Sequence, residues 1–269
     1  MRIKIHHETT YHYDVQPTHL VQRLHLTPSD FAAQKTLSWT ISAPGIETGF
    51  SYVDGFGNKV HLVTADLAEK SYSIIAEGEV ETSDAAGLVR GLAGSLSDQI
   101  YLRQTDITQP SSAMAASLEK FPAKGAALER AHALMQFVHG KIAYEIGTSV
   151  AETTAAEAFA AGRGVCQDHA HILVGLARAM KIPARYVTGY LVMGVGASSA
   201  AAHAWAELLI PDLGWVGFDP ANGQCPTEHY VRLAGGLDAS AVAPVKGSRR
   251  GAFGGEQLTV AVRAEIAQQ

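Results

Sequence analysis

The spacing of apolar residues changes along this chain, and this change limits what the chain can fold into. From residue 2 to about residue 82 the period is two, which is typical of strands with one buried face. The first segment, RIKIHHETTYHY, places six side chains on one face: Ile3, Ile5, His7, Thr9, Tyr11 and Tyr13. Further strand candidates are LVQRLHLTP, KTLSWTISA, GFSYVD, NKVHLVTAD and SYSIIAEGEVET. Because DGFGN at residues 54–58 carries the turn residues of a hairpin, these segments predict a β-sandwich-like domain of about six strands.

The second half of the chain begins with a helical period. A connection rich in glycine, serine and alanine covers residues 83–109, and helices are predicted after it. Their predicted ranges are 111–121, 125–144, 153–161 with Thr153 as N-cap and Gly162 as the stop, and 166–180. Strands return at residues 184–193, 203–210 and 215–220, and the alternating QLTVAVRAEI near the end adds one more.

These two patterns divide the chain into two predicted domains. Residues 1–105 form the β-rich domain, and residues 106–269 form a domain of helices and strands. The predicted fold class is therefore α+β. Residues 194–202, rich in glycine, alanine and serine, are interpreted as a mobile loop that would wall a pocket together with the N-terminal domain.

The composition is that of a globular protein and excludes several classes of function. Of 269 residues, 47% are hydrophobic and 17% are charged, which argues against a disordered chain. The 26 acidic and 21 basic residues are well mixed, so the chain lacks the basic stripe of a nucleic-acid binder. The N-terminus lacks the apolar run of a secretory signal, and no later window offers about eighteen consecutive apolar residues. We expect a cytoplasmic protein with no membrane and no nucleic-acid partner.

The chain contains two cysteines, Cys166 and Cys225, which are too few for a disulfide framework and form no CxxC pair for zinc. In AGRGVCQDHAH, Cys166 lies between a glycine loop and the start of a predicted helix. Thiolates are favoured at helix N-termini because unpaired backbone N–H groups and the helix dipole stabilise the anion. Cys166 is therefore a candidate nucleophile whose own N–H would help to hold an oxyanion. Cys225 is expected to be a bystander.

A nucleophilic cysteine needs a base within hydrogen-bond reach and a third group that orients the base. His203 begins a predicted strand, and Asp219 ends the strand that pairs with it through the turn PDLG at residues 211–214. Counting back from that turn places Asp219 near His203 across the hairpin. The candidate catalytic residues are therefore Cys166, His203 and Asp219.

A metal site is an alternative interpretation of the same region. Its ligands would be drawn from Cys166, His169, His171 and His203. His169 and His171 are two residues apart on a helix and point to different faces, so they cannot both accompany Cys166. We expect no metal and no other cofactor.

Two segments carry a resemblance to a known family. GVCQDHAHILVGLARAMKIPARYVTGY and HAWAELLIPDLGWVGFDPANG closely resemble the transglutaminase-like superfamily, whose core has a papain-like α+β fold. The family pattern is a helix-initial cysteine, a His-Ala-Trp strand and a Trp-x-x-x-Asp-Pro strand, which fall on Cys166, His203 and Asp219. LVQRLHLTP, DGFGNKVH and EGEVETSD resemble the β-rich N-terminal domain of bacterial members. His169 departs from the pattern, since family members usually carry an aromatic residue there, and this affects the expected pocket wall.

The resemblance implies thiol-dependent acyl transfer from a peptide or other amide substrate, either to water or to an amine. We expect hydrolysis, because the sequence shows no calcium-ligand loop of spaced acidic residues. Transamidation, a non-catalytic binding scaffold and a metal-dependent hydrolase are the alternatives, and an intact Cys, His and Asp set argues against the scaffold. A second oxyanion donor is expected, and Tyr144 or a side chain near Glu145 could supply it.

Neighbouring residues are expected to have structural roles. Asp168 should stabilise the start of the helix through its dipole or through bonds to nearby backbone N–H groups. Arg185 and Glu207 should pair within the sheet, and Trp205 and Trp215 should pack mainly in the core.

Overall fold

The computed structural model describes residues 1–94, 96–121, 125–193, 200–251 and 254–266. Most of the loop predicted at residues 194–202 therefore lies outside the described residues. Within the described ranges, no helix is long and apolar enough to span a membrane.

The N-terminal part of the chain forms the strands that its period of two predicts. Six strands run through it: β1 (Arg2–Tyr13), β2 (His19–Leu24), β3 (Gln34–Ser42), β4 (Phe50–Val53), β5 (Lys59–Asp66) and β6 (Ser71–Thr82). Side chains along β1 alternate in burial, and the fully buried ones are the six that the sequence places on one face. This alternation is what a strand with one face in a core requires.

Helices and further strands follow in the described part of the second half. In chain order they are β7 (Leu88–Val89), α1 (Ser112–Ser117), α2 (Ala127–Lys141), β8 (Ala143–Tyr144), α3 (Ala155–Ala161), β9 (Arg163–Gly164), α4 (Cys166–Ala179), β10 (Ala184–Val192), β11 (Ala200–Ile210), β12 (Gly214–Phe218) and β13 (Tyr230–Gly236). Two short 3₁₀ turns cover Asp98–Leu102 and Leu118–Lys120. The α+β class predicted from the sequence is confirmed.

The last two strands, β14 (Val245–Arg250) and β15 (Glu256–Ile266), return to the N-terminal part of the molecule. β15 pairs with β1, and β14 pairs with β2. The sandwich therefore consists of two four-stranded sheets, β15-β1-β6-β3 and β14-β2-β5-β4, with an aromatic and aliphatic core between them. The sequence-based division at residue 105 assigns both strands to the second domain, whereas their hydrogen bonds place them in the sheets of the first.

The second half is built around a five-stranded sheet in the order β13-β10-β11-β12-β7. α4 packs against β10 and β11, while α2 and α3 cover the other side of α4. All side chains of α4 from residue 168 to residue 178 are buried, not only the predicted apolar stripe. A helix that is covered on both sides loses its exposed face, so its polar residues Asp168, His169, His171 and Arg178 are buried along with the apolar ones.

Several predicted helix boundaries differ from the structure, and two of the differences have a clear local cause. The helix predicted to run to residue 144 ends at Lys141, because the next residues become extended and β8 pairs in parallel with β9. The predicted N-cap Thr153 is wrong: Thr154 caps α3, with its hydroxyl accepting from the Glu157 N–H and the Glu157 carboxylate accepting from the Thr154 N–H. Gly162 ends α3 with φ of 67°, as predicted.

The sandwich and the five-stranded sheet share a buried interface. Ile3 and Ile5 of β1 pack with Tyr190 of β10 in one apolar cluster, and the Tyr190 phenol bonds His7 at 2.7 Å. Asn58, from the predicted DGFGN turn, donates to the Gly235 carbonyl and accepts from the Gly235 N–H, both at 2.9 Å. The turn therefore anchors the sandwich to β13, a role that the sequence does not reveal.

Candidate active site

The start of α4 is held by a buried carboxylate. Asp168 Oδ2 accepts a hydrogen bond from the Val165 N–H at 2.7 Å and from the Ser149 hydroxyl at 2.6 Å. A Cβ on Gly164 would lie 2.6 Å from that oxygen, so a glycine is needed where the carboxylate approaches the chain. This contact gives Asp168 the structural role that the sequence predicts and places Cys166 as the first residue of the helix.

His203 and Asp219 are brought together by the hairpin of β11 and β12. The predicted turn at residues 211–214 forms, with Asp212 and Gly214 at φ of 65° and 84°. The pairing of β11 with β12 ends at Phe218, which lies opposite Ala206. Asp219 is the first residue after β12. His203 Nε2 donates to Asp219 Oδ2 at 2.7 Å, which is the adjacency predicted by counting back from the turn.

Asp219 is buried and surrounded by donors. Its Oδ2 also accepts from the Tyr230 phenol and from the Asn222 side-chain amide, both at 2.7 Å, and its Oδ1 accepts from the backbone N–H groups of Ala221 and Asn222. Burial by itself would raise the pKa of Asp219, but the hydrogen bond and charge of His203 and the bonds from Asn222 and Tyr230 hold the pKa below its ordinary value. Asp219 is therefore an anion at neutral pH.

The protonation state of His203 depends on its two partners, Asp219 and Cys166. Burial would lower the pKa of His203, but hydrogen bonds with Asp219 and with the Cys166 thiol, together with the charges of both, raise the pKa to about 9. Because Nε2 is bound to Asp219, Nδ1 is the ring nitrogen left for the thiol. The arrangement favours an imidazolium beside the cysteine at neutral pH.

Aromatic rings flank the imidazole. The centroid of the His203 ring lies 6.3 Å from the Trp205 ring and 5.8 Å from the Tyr230 ring. Gly189 pairs with His203 on the neighbouring strand, and a Cβ there would lie 2.6 Å from the Trp205 ring and 2.1 Å from the Val231 carbonyl oxygen. The glycine therefore makes room for the indole that packs beside His203.

Cys166 and His203 line one cleft with a volume of about 670 Å³. Its lining is mostly small and apolar, with Glu152 and Lys246 as the charged members. Lys246 belongs to β14, so the sandwich contributes to the wall of the cleft. A second groove of about 750 Å³, between β3 and β4, contains neither Cys166 nor His203.

The two histidines on α4 serve the fold. Both ring nitrogens of His169 lie near backbone carbonyls, Nδ1 at 2.8 Å from Val165 and Nε2 at 3.1 Å from Ile142. His171 Nε2 accepts from the Ala239 N–H at 3.1 Å, and burial is the main reason that its pKa falls to about 4. Neither histidine lines the cleft, and in the described part of the chain no three His, Cys, Asp or Glu side chains are grouped so as to hold a metal ion.

Arg185 and Glu207 pair within the sheet as predicted, with Arg185 Nε 2.5 Å from the carboxylate. The structure adds Arg232, whose Nε lies 2.8 Å from the other carboxylate oxygen. The Arg185 guanidinium lies 4.1 Å from the centre of the Trp215 ring. These three charged groups are buried and have a structural role. Trp215 packs against Arg185 and does not line the cleft.

The sequence analysis names Tyr144 as a possible oxyanion donor and Cys225 as a bystander. Tyr144 lies on β8 opposite Gly164, close to the start of α4, and its side chain is 54% exposed. Burial, followed by the charges of Cys166 and Asp219, raises the pKa of its phenol. Cys225 is partly buried, burial raises the pKa of its thiol, and it does not line the cleft.

Sequence reasoning missed two residues that hold the site together, Asn222 and Tyr230. Asn222 follows Asp219 in DPANG, and an asparagine at that place in a turn is a local signal for a bond back to the aspartate. Tyr230 begins β13, on the far side of β10 from β11, and no local pattern connects it with Asp219.

Comparisons with known proteins agree with this architecture. The family model described as Transglutaminase-like superfamily matches residues 114–220, and the model described as Bacterial transglutaminase-like N-terminal region matches residues 3–81. An uncharacterized protein of Mycobacterium leprae is 27% identical over 268 residues, covering 93% of this chain and 95% of its own length. An uncharacterized protein of Mycobacterium tuberculosis is 26% identical over 278 residues, with 91% and 87% covered.

A solved structure described as a "Putative Cysteine Protease from Cytophaga hutchinsonii" has the same fold. The TM-score is 0.77 at 23% sequence identity, with 100% of this chain and 91% of that chain covered. Cys166, His203 and Asp219 all lie inside the segment that the core family model matches. The chain therefore combines a segment that matches the transglutaminase-like core with a segment that matches the bacterial transglutaminase-like N-terminal region.

Proposed function

We propose that this protein is a thiol-dependent amide hydrolase acting on peptides or related amides through Cys166, His203 and Asp219. The observation that carries this proposal is the bond from His203 Nε2 to Asp219 Oδ2 at 2.7 Å, with Cys166 and His203 in one cleft. A buried imidazole that is oriented by a carboxylate and has its other nitrogen free for a thiol is the arrangement that activates a nucleophile.

The first step is formation of the ion pair. His203 Nδ1 takes the proton of Cys166, and the resulting imidazolium is stabilised by the Asp219 carboxylate. With a pKa of about 9, His203 holds this proton at neutral pH. The thiolate lies at the start of α4, where the helix dipole and unpaired backbone N–H groups favour an anion.

The second step is attack on the amide. The Cys166 sulfur forms a bond to the carbonyl carbon, and the carbonyl oxygen becomes an oxyanion that the Cys166 N–H helps to hold. The C–N bond then breaks while His203 gives its proton to the departing amine, leaving a thioester on Cys166. Water, deprotonated by the now neutral His203, hydrolyses the thioester and restores the thiol.

The cleft supports an uncharged acyl group. Its lining is predominantly apolar and includes Ala202, Ala204, Val242 and Ala243, and an uncharged acyl side chain packs against these residues without the cost of desolvating a charge. Hydrolysis and amine transfer share the same thioester, and they differ only in which acceptor reaches it. The cytoplasmic location expected from the sequence stays a prediction.

The proposal is tested by trapping the acyl-enzyme. The full chain is mixed with p-nitrophenyl acetate, and peptide mass spectrometry after rapid acid quench locates the acetyl group. We expect a thioester on Cys166, loss of the signal in Cys166→Ala, and no change in the control Cys225→Ser. Adding a primary amine then separates the two acceptors: acetate as the main product supports hydrolysis, and an N-acetyl amine supports transamidation. If the wild-type protein is never acylated, the proposed enzymatic function is wrong, and the binding scaffold is the remaining interpretation.

A further inference from the structure

The Tyr186 phenol is a hydrogen-bond donor in the cleft. Tyr186 lines the cleft together with Cys166 and His203. Its hydroxyl makes no hydrogen bond to any residue that the structure describes. Acyl transfer needs two donors on the developing oxyanion, and the backbone N–H of Cys166 is only one of them. We infer that the Tyr186 hydroxyl is the second oxyanion donor, an inference that rests on the acyl-transfer function proposed above.

The strand register places this phenol on the side of the sheet where the nucleophile lies. Tyr186 on β10 pairs with Ala206 on β11, and Thr188 pairs with Ala204. Tyr186, Ala204 and Ala206 belong to the apolar cluster that packs against α4, and Cys166 packs against the same cluster. The two alanines present small side chains on this side of the sheet.

The ring is held in one orientation by its packing. Its centroid lies 4.9 Å from the His171 ring, with the two planes 34° apart. His171 is itself fixed, because it lies on α4 and accepts a hydrogen bond from the Ala239 N–H. Preorganisation of this kind is what an oxyanion donor requires, since it spends no free energy on reorientation during the reaction.

The phenol keeps its proton throughout the pH range of the reaction. Burial, and after it the negative charges of Cys166, Asp168 and Asp238, raise the pKa of Tyr186 well above its ordinary value. A proton so tightly held is donated as a hydrogen bond but is not transferred. Because Tyr186 is only 4% exposed, its hydrogen bond acts where little water competes.

Tyr144, which the sequence suggested for this role, is less suited to it. Its side chain is 54% exposed, so water competes for its hydroxyl and its ring is less constrained. Tyr144 also does not line the cleft that contains Cys166 and His203. Because the Tyr144 phenol is acted on by the charges of Cys166 and Asp219, the control substitution is made at Tyr52 of β4, which is exposed and does not line the cleft.

The inferred step is the addition that precedes the thioester. The thiolate electron pair forms the S–C bond, the carbonyl π pair moves to oxygen, and Tyr186 and the Cys166 N–H each donate a hydrogen bond to that oxygen. When the C–N or C–O bond breaks, the pair returns to the carbonyl and the leaving group departs with its electrons. Tyr186 neither gains nor loses a proton.

The test compares two reactions of Cys166 in Tyr186→Phe, Tyr52→Phe and the wild-type chain. Alkylation by iodoacetamide is a displacement at carbon and develops no oxyanion, whereas acylation by p-nitrophenyl acetate passes through one. We expect Tyr186→Phe to acylate about 100-fold more slowly while its alkylation rate stays within about twofold of wild type. Tyr52→Phe should change neither rate by more than about threefold.

Three results would overturn the inference. Unchanged acylation in Tyr186→Phe shows that the phenol does not hold the oxyanion. An equal loss of both reactions shows that Tyr186 supports the thiolate or the fold instead, and a thermal unfolding curve separates those two causes. A wild-type chain that is alkylated but never acylated contradicts the proposed function itself, and the inference falls with it.

Discussion

Tyr230 and His203 donate hydrogen bonds to the same oxygen, Asp219 Oδ2, each at 2.7 Å. They lie on β13 and β11, which are separated by β10, so the carboxylate joins strands that are not neighbours in the sheet. Gln224 donates to the Tyr230 hydroxyl at 3.0 Å, which leaves the phenol proton directed at Asp219. The carboxylate is therefore fixed from several sides and in turn fixes the plane of the imidazole.

The contact with Asp219 should change the pH at which His203 titrates. Its pKa in the folded protein is raised to about 9, so the stabilising interaction is complete below about pH 6.5, the ordinary pKa of histidine, and is lost as the pH rises through about 9. We expect the His203 ring signal in NMR to titrate near 9. In Asp219→Asn the midpoint should move down toward about 6.5, because the largest stabilising partner of the cation is gone. A wild-type midpoint near 6.5 would contradict the ion pair.

The reactivity of the two thiols should differ. Iodoacetamide labelling between about pH 5 and pH 7 should modify Cys166 at least tenfold faster than Cys225, since thiolate is the reactive form. Burial raises the pKa of Cys225, so that thiol stays protonated. Mass spectrometry of the labelled peptides measures both rates in one sample. His203→Ala should remove most of the advantage of Cys166, and equal rates in the wild-type chain would count against the proposed nucleophile.

Gly189 should not tolerate a side chain. In Gly189→Ala the new Cβ meets the Val231 carbonyl oxygen at 2.1 Å and the Trp205 ring at 2.6 Å, so the indole beside His203 must shift. We expect a loss of about 1–3 kcal/mol in the free energy of unfolding and slower labelling of Cys166.

Gly140→Ala is the matched control for that substitution. Gly140 lies on the exposed side of α2, and its added Cβ would meet nothing within 4 Å. Because alanine is favoured over glycine inside a helix, this variant should gain about 0.5–1 kcal/mol and leave the labelling rate unchanged. Urea unfolding measures both variants, and a Gly189→Ala protein as stable as Gly140→Ala would disprove the close packing around Trp205.

Removing one partner from the buried group of Glu207, Arg185 and Arg232 should strongly destabilise the protein. Glu207→Gln takes away the only carboxylate that the structure places against both guanidinium groups, leaving two buried cations. We expect a loss of about 3–5 kcal/mol in the free energy of unfolding. Glu256→Gln, which breaks the more exposed pair with Arg249, should cost no more than about 1 kcal/mol. Similar losses for the two variants would show that burial does not set the energy of the Glu207 pairs.

The sequence by itself determined the local elements and the candidate site. A period of two marks the strands of the sandwich, because alternate side chains must face the core, and the buried face of β1 follows from it residue by residue. The adjacency of His203 and Asp219 also follows locally, since a short turn ties the register of β11 to that of β12. The position of Cys166 follows from the glycine-containing approach to a helix start.

Only the tertiary structure decided which distant segments meet. The period of QLTVAVRAEI predicts a strand, but it does not reveal that β15 pairs with β1 in the sandwich. The same holds for Tyr230 on Asp219, Asn58 on Gly235 and Arg232 on Glu207, whose bonds cross strands or domains. Alternation and helical spacing report which face of an element is buried and carry no information about its partner. That choice is made by the packing of all elements together.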